Sequence, residues 1–260
     1  MDTYSKGKRV AIIQARMNSS RLPGKVLIDL GGQPMLQRVI TRTRRAKLVD
    51  EVMVATTDDA SDDPVEEFCR QQGVAVFRGS QFDVLDRFYQ AARQCEADVI
   101  VRLTADCPLL DPQVVDHTLE EFFKSGADFA ANRLPPPWKR TYPIGLDTEV
   151  CYFKGLERAW KEADQPHQRE HVMPYFYDRE GHFKVLLVNH DPDYGAERWT
   201  VDTPQDLELV RLIFAHYNNR DDFSWYDVLE LKNLHPEWFA INAGIHHKTA
   251  LDVDERANGK

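Results

Sequence analysis

Two hydrophobic periods alternate along the first half of the chain. Arg9 to Gln14 (RVAIIQ) is a short apolar, β-branched run and predicts a buried strand. A polar loop with Asn18, Ser19, Ser20, Pro23 and Gly24 follows, then Lys25-Val26-Leu27, a Gly31-Gly32 turn, and a helix from about Pro34. Met35, Leu36, Val39 and Ile40 fit helical spacing, and proline suits a first helical turn because its missing N–H would be unpaired there anyway. The same reading predicts strands over Glu51 to Thr56, Val74 to Phe77 and Asp98 to Leu103. It predicts helices over Asp62 to Gly73, Phe82 to Cys95 (Val84, Leu85, Phe88 and Ala92 on one face) and Pro112 to Lys124. Strands alternating with helices indicate an α/β fold with a doubly wound, mostly parallel sheet. Such sheets bind ligands outside the carboxyl ends of their strands. Gln14 to Lys25 and Asp106 both follow such ends, so one crevice can hold both.

After Asp128 the pattern loosens, and Pro135-Pro136-Pro137 interrupts any regular element. Glu149 to Phe153 and Lys184 to Val188 read as strands flanking a helix around Gly155 to Glu162, so residues 130–190 are expected to form an insertion or edge subdomain. Compact signals return at Trp199. Thr203-Pro204 followed by Gln205 to Tyr217 predicts an N-capped helix, Asp227 to Asn233 a further one, and residues 246–260 a frayed polar tail.

At 260 residues, 42% hydrophobic and 29% charged, the chain can bury a core and form one large domain. No apolar run is long enough to span a bilayer, and the polar start lacks the features of a secretory signal, so a cytoplasmic, membrane-free protein is expected. Cys69, Cys95, Cys107 and Cys151 are scattered too widely for a zinc knuckle or disulfide framework. The net charge of −9 disfavours nucleic acid as a partner. Arg16, Arg21 and Lys25 nevertheless crowd into ten residues, a local anion site to which a triphosphate is better matched than a duplex.

Three constellations can carry chemistry. The loop Gln14 to Lys25 offers two arginines, a lysine and backbone donors that can converge on one anion; it is neither a Walker A sequence nor GxGxxG. Arg102-Leu103-Thr104-Ala105-Asp106-Cys107-Pro108 places a carboxylate just past a strand, where a hard cation can be held over the crevice, although a turn-capping aspartate looks the same in sequence. Arg198 to Leu207 holds Asp202 before a helix start, with Thr203 able to cap and Asp206 placed to complement the helix dipole.

Ile12 to Leu27 (IIQARMNSSRLPGKVL) resembles the N-terminal signature of the cytidylyltransferases that activate acidic sugars, the acylneuraminate and 3-deoxy-manno-octulosonate enzymes. Gln14-Ala15-Arg16 is most similar to the branch typified by the spore-coat polysaccharide biosynthesis protein SpsF. The resemblance runs from about Val10 to Val210, with three motifs in order. It implies a nucleotide-diphospho-sugar transferase (GT-A-like) fold, in which the 130–190 insertion lies on the acceptor side and helps form a homodimer. It implies transfer of CMP from CTP to an acidic sugar or phosphorylated acceptor, with loss of pyrophosphate, in surface polysaccharide or glycoconjugate synthesis. By the same resemblance, Arg16, Arg21 and Lys25 contact phosphates, Gln14, Ala15 and Ser19 line the nucleotide with Thr104, and Asp106 and Asp202 hold Mg²⁺. Arg16, Lys25 and Asp106 are then the catalytic set. Arg78 and Gly79, and more weakly Arg87, are implied near the base. Gly145, Asp147, Glu149, Glu170 and His171 are implied around the acceptor. Two rival readings are weighed against it. A GT-A glycosyltransferase would usually carry Asp-x-Asp where Thr104-Ala105-Asp106 stands, and Asp191-Pro192-Asp193 lies in a turn. A catalytically silent scaffold would be expected to have lost one of Arg16, Lys25, Asp106 and Asp202.

Overall fold

The computed structural model describes residues 7–245, so the tail expected over 246–260 lies outside the described residues. Seven strands form one sheet: β1 (Arg9–Gln14), β2 (Glu51–Thr57), β3 (Ala75–Gly79), β4 (Val99–Thr104), β5 (Phe129–Ala131), β6 (Glu149–Tyr152) and β7 (Val185–Leu187), in the order β3-β2-β1-β4-β6-β5-β7. The β3-β2-β1-β4 half is parallel, as the alternating pattern predicts. β6 runs antiparallel to both β4 and β5, and β5 is parallel to β7. Residues 129–187 therefore extend the same sheet at its edge. The chain lays β2 and β3 on one side of β1 and β4 on the other. The β1–β4 junction is thus the switch point where open sheets of this kind form a crevice.

Each face of the sheet is covered by helices whose apolar stripe matches it. Odd-numbered positions of β1, Ala11 and Ile13, join Val54 and Val101 beneath α1 (Met35–Thr43), α2 (Asp63–Gln71) and α4 (Pro112–Ser125). Even-numbered positions, Val10 and Ile12, join Ala55 and Ile100 beneath α3 (Val84–Gln94) and α5 (Phe153–Glu162). Two short helices, α6 (Pro166–His171) and α7 (Pro174–Tyr177), complete that second layer, and Phe176 stacks on Phe129. A third cluster joins α8 (Pro204–His216) and α9 (Trp225–Leu234) to Leu30, Met35 and Val114, with Trp199 fully buried at its centre. The short α10 (Pro236–Phe239) follows α9. Among the described residues no helix is long and apolar enough to cross a membrane.

Candidate active site

The chain leaves β1 at Gln14, and Ala15 continues the ladder by donating to the Ala55 carbonyl (3.1 Å). It then turns sharply: the N–H groups of Ser19 (3.0 Å) and Gly24 (2.8 Å) both donate to the Met17 carbonyl. A buried carboxylate fixes this loop from below. Asp62 accepts from the Met17 N–H (2.7 Å), the Thr57 N–H (3.0 Å) and the Thr56 hydroxyl (2.9 Å). Gly24 has φ 71°, a left-handed conformation open to glycine at no steric cost. That turn starts a short 3₁₀ segment, Lys25–Leu27, and drives Lys25 inward until it is 8% exposed.

Lys25 ends between two carboxylates. Its Nζ donates to Asp106 Oδ2 and Asp202 Oδ1, each at 2.8 Å, and to the Val201 carbonyl at 2.9 Å. Asp202 is also gripped by Arg21 (2.9 Å) and Arg198 (3.0 Å) through Oδ2. Asp106 takes the Thr104 hydroxyl on Oδ1 (2.6 Å), and its carbonyl accepts from the Val201 N–H (2.8 Å). Asp206 is fully buried; it accepts from Arg198 Nε (2.9 Å), Asn242 (2.8 Å) and the Asp202 N–H (3.0 Å), and forms a capping box with Thr203 at the start of α8. It is thus the structural residue its position in the helix predicts, and Thr203 is the cap.

The charges at this junction reinforce one another. Burial alone would raise the Asp106 carboxyl, but the Lys25 ammonium and the hydrogen bonds from Lys25 and Thr104 outweigh it and hold the group well below the usual carboxylate range. Burial would lower Lys25, but Asp106 and Asp202 outweigh it and raise the ammonium above its ordinary value. Asp206 is likewise held low, with Arg198 and Asn242 overcoming burial. Among the described residues no three or more His, Cys, Asp or Glu side chains cluster as a metal cage. Two carboxylates within reach of one nitrogen nonetheless fit Mg²⁺, which binds through one or two carboxylates and takes its remaining ligands from phosphate and water.

Beside this junction, on the α3 face, lies a second polar group. Arg102 pairs with Glu149 and donates to Gln14 Oε1 (3.1 Å). Glu149 is 4% exposed and also faces Arg133 at 4.0 Å. His171 is half-buried with Nε2 unpartnered, and burial, then the nearby Arg102 and Arg133 working against Glu170, lowers its pKa. Asp147 is tied to Arg140 (3.0 Å to Nη2). Gly145 has φ 111°, and a Cβ there would stand 2.7 Å from the Thr200 nitrogen, so it serves the close crossing of two backbone segments.

The structure brings Arg21, Lys25, Thr104, Asp106 and Asp202 together and keeps Arg16, Gln14 and Ala15 at the same strand end. It does not bring Arg78 in. That side chain donates to the Thr57 (2.9 Å) and Asp59 (2.8 Å) carbonyls and pairs with Asp63 and Glu66, because β3 lies two strands from the switch point. Arg87 takes the inner position instead: it is fully buried behind Gly79, and burial, then the nearby Arg16 charge, lowers its pKa to about 10. Sequence reasoning gave no site role to Asp62, Arg102 or Arg133. Asp62 reads as a helix start, and its role shows only once β2 and the loop are paired around it.

A family model described as Cytidylyltransferase matches residues 10–224. The spore coat polysaccharide biosynthesis protein SpsF of Bacillus subtilis (strain 168) is 32% identical over 233 residues, covering 87% of this chain and 94% of that protein. The 3-deoxy-manno-octulosonate cytidylyltransferase of Anaeromyxobacter sp. (strain K) is 29% identical over 237 residues, covering 78% of this chain and 96% of that one. Among solved structures, a cytidylyltransferase from Leptospira borgpetersenii serovar Hardjo-bovis (strain JB197) aligns at a TM-score of 0.85 and 33% identity, over 93% of this chain and 100% of the other.

Proposed function

Since the chain belongs to the cytidylyltransferase family, we propose that it transfers CMP from CTP to a small acidic sugar or phosphorylated acceptor in the cytoplasm, for surface polysaccharide or glycoconjugate synthesis. The observation that carries this reading is the convergence of Lys25 and Arg21, from a phosphate-type loop, on Asp106 and Asp202 at the switch point of the sheet.

The acceptor oxygen forms a bond to the α-phosphorus, the bond from that phosphorus to the bridging oxygen breaks, and pyrophosphate leaves with that oxygen. The acceptor proton passes to solvent. Such transfers depend on positioning and charge neutralisation more than on covalent help. Arg16, Arg21 and Lys25 supply cationic donors along the loop, and Asp62 holds the loop still from beneath. Asp106, kept ionised by Lys25 and Thr104, and Asp202, held by Arg198 and Arg21, are the residues that would hold Mg²⁺. When bound, that ion would supply further neutralisation of the phosphates. A homodimer through residues 130–190 belongs to the same reading.

The test is pyrophosphate release with Mg²⁺, each ribonucleoside triphosphate in turn, and a panel of acidic and phosphorylated acceptors. Release should require CTP and one acceptor. Asp106→Asn and Asp202→Asn should each lower it by about 10³-fold while thermal unfolding stays cooperative. Near-wild-type rates in either variant remove the two-carboxylate assignment. Absence of both release and calorimetric nucleotide binding would move the silent scaffold to the front.

A further inference from the structure

Five buried or partly buried arginines of this fold differ in how they use their donors. Arg38 donates to the carbonyls of Leu30, Gly31 and Asn219 and to Asp221. Arg42 donates to the carbonyls of Leu110, Asp221 and Phe223. These two are struts. Three others keep donors unspent. Arg87 has Nε and Nη2 without a partner, and Arg102 has Nε without one. The Arg133 guanidinium donates no hydrogen bond among the described residues; its contact is the 4.0 Å pairing with Glu149, and its side chain is 23% exposed.

Arg133 is held in place firmly for a residue with so few partners. Asn132 before it is 1% exposed, donates to the Leu146 carbonyl (2.7 Å) and accepts from the Thr148 N–H (2.9 Å), which pins the end of β5 to the segment leading into β6. Phe129, Ala131 and Arg133 share a parity, so Arg133 emerges on the α3 face with Arg102 and Glu149. The register places Ala131 and Arg102 on either side of Glu149. Arg102 is two residues before Thr104, so this row lies about 7 Å along the strand from the Thr104 end of β4. β5 is three strands from β1, about 14 Å across the sheet, which sets Arg133 apart from the phosphate loop. The loop after Arg133 carries Trp138, 39% exposed and edge-on to Tyr177 at 6.0 Å.

We propose that Arg133 selects the acceptor: its guanidinium takes an oxyanion of the acceptor, carboxylate or phosphate, in a pocket shared with Arg102 and His171 and walled by Trp138. A planar guanidinium with free donors matches either oxyanion bidentately, and a tryptophan face covers the apolar side of a sugar or polyol. This inference rests on the transfer reaction proposed above and assigns the part of the site that reads the second substrate.

The test uses calorimetry on the whole chain with Mg²⁺ and a non-hydrolysable CTP analogue. The probes are a 2-keto sugar acid of eight or nine carbons with its methyl ester, and a phosphorylated polyol with the unphosphorylated polyol. One acidic probe should bind, and its neutral counterpart should bind far more weakly; which acid binds identifies carboxylate or phosphate. Arg133→Gln should weaken that acid roughly 10- to 100-fold, Arg133→Lys should restore part of the loss, and affinity for the CTP analogue should stay within about twofold, as expected if the charged contact is made to the acceptor alone. Unchanged acid binding in Arg133→Gln overturns the proposal. So does an equal loss of CTP-analogue binding, or failure of every acid to bind wild-type protein that still binds the analogue. Failure of the wild-type protein to bind the analogue at all would instead bring down the transfer reaction, and the subsite with it.

Discussion

Replacing Lys25 by methionine keeps most of the side-chain stem and removes the ammonium. The Lys25 side chain is 10% exposed, and its two carboxylate partners stand at 2.8 Å. A hydrogen bond to a charged group contributes about 1.5–3 kcal/mol, and stripping one partner from a buried ion pair costs about 3–5 kcal/mol. Asp202 is cushioned, because Arg21 and Arg198 remain on Oδ2. Asp106 is not: it retains hydrogen bonds from Thr104 and the Cys107 thiol, although 26% of its side chain opens to the crevice. The lower part of the range therefore applies, about 3–4 kcal/mol, or roughly 10 °C in Tm for a chain of this length. Urea unfolding of Lys25→Met measures it. Adding Asp106→Asn should return about 2 kcal/mol, since an amide needs no counter-ion, and the double-mutant cycle should show that coupling. A loss under about 1 kcal/mol in Lys25→Met, or an additive double mutant, would refute the view that Lys25 is the shared counter-ion of the site.

Two further outcomes follow from the same geometry. Asp62→Ala leaves the Met17 and Thr57 N–H groups without their acceptor and should cost about 3 kcal/mol in urea unfolding and raise KM for CTP about tenfold; an unchanged KM would show that the loop holds its own shape. Stability should be flat from about pH 7 to pH 8 and fall on both sides. On the acid side, His171 has a depressed folded pKa, so its contribution is present above the ordinary histidine value and is lost as pH drops below it. Asp106 and Asp206, also depressed, add a steeper loss below about pH 4. On the alkaline side, burial raises the thiols of Cys69, Cys95, Cys107 and Cys151, so the unfolded chain gives up those protons first and stability falls as pH rises through the ordinary thiol value. Lys25, also raised, contributes below its unfolded value and is lost as pH rises past its folded one. Urea midpoints measured across pH would contradict these assignments if they stayed level from pH 8 to pH 10.

What the sequence made legible is what local pattern controls. The run RVAIIQ coincides with β1 residue for residue, and the helices of the first half lie within two residues of their expected ends. β5 escaped because Phe129–Ala131 is three residues of apolar chain, too short for any period to register. At the site, the motifs located Lys25, Asp106 and Asp202 but not their relation. Lys25 as a phosphate contact is an inference from type; its actual partners lie 81 and 177 positions away, and only the closed sheet brings them together. Arg78 shows the reverse case. A strand-end arginine looks available in sequence, yet the outer position of β3 turns it toward Asp63 and Glu66 on α2. Arg133 was illegible because its significance is a shortage of partners, and a shortage exists only after every other residue has been placed.

The balance of charge at the junction also bears on what the site can accept. Lys25 answers Asp106, Arg21 answers Asp202, and Arg198 is tied to Asp206 while steadying Asp202. These six charges cancel, so the fold can hold the two carboxylates at high local density without straining itself. A triphosphate entering such a place brings about four negative charges that the six do not offset, and charge desolvated beside carboxylates without compensation is strongly unfavourable. Arg16 in the same loop can answer part of it. The remainder calls for a cation that arrives with the nucleotide and shares Asp106 and Asp202 with it, which is the physical ground on which we propose magnesium. The same bookkeeping explains why the acceptor's anion is assigned to Arg133 and not to the loop. In the proposed reaction the loop's cations face the carboxylates and the triphosphate, whereas Arg133, one of three arginines with unpartnered donors, follows a strand that lies about 14 Å from β1 across the sheet.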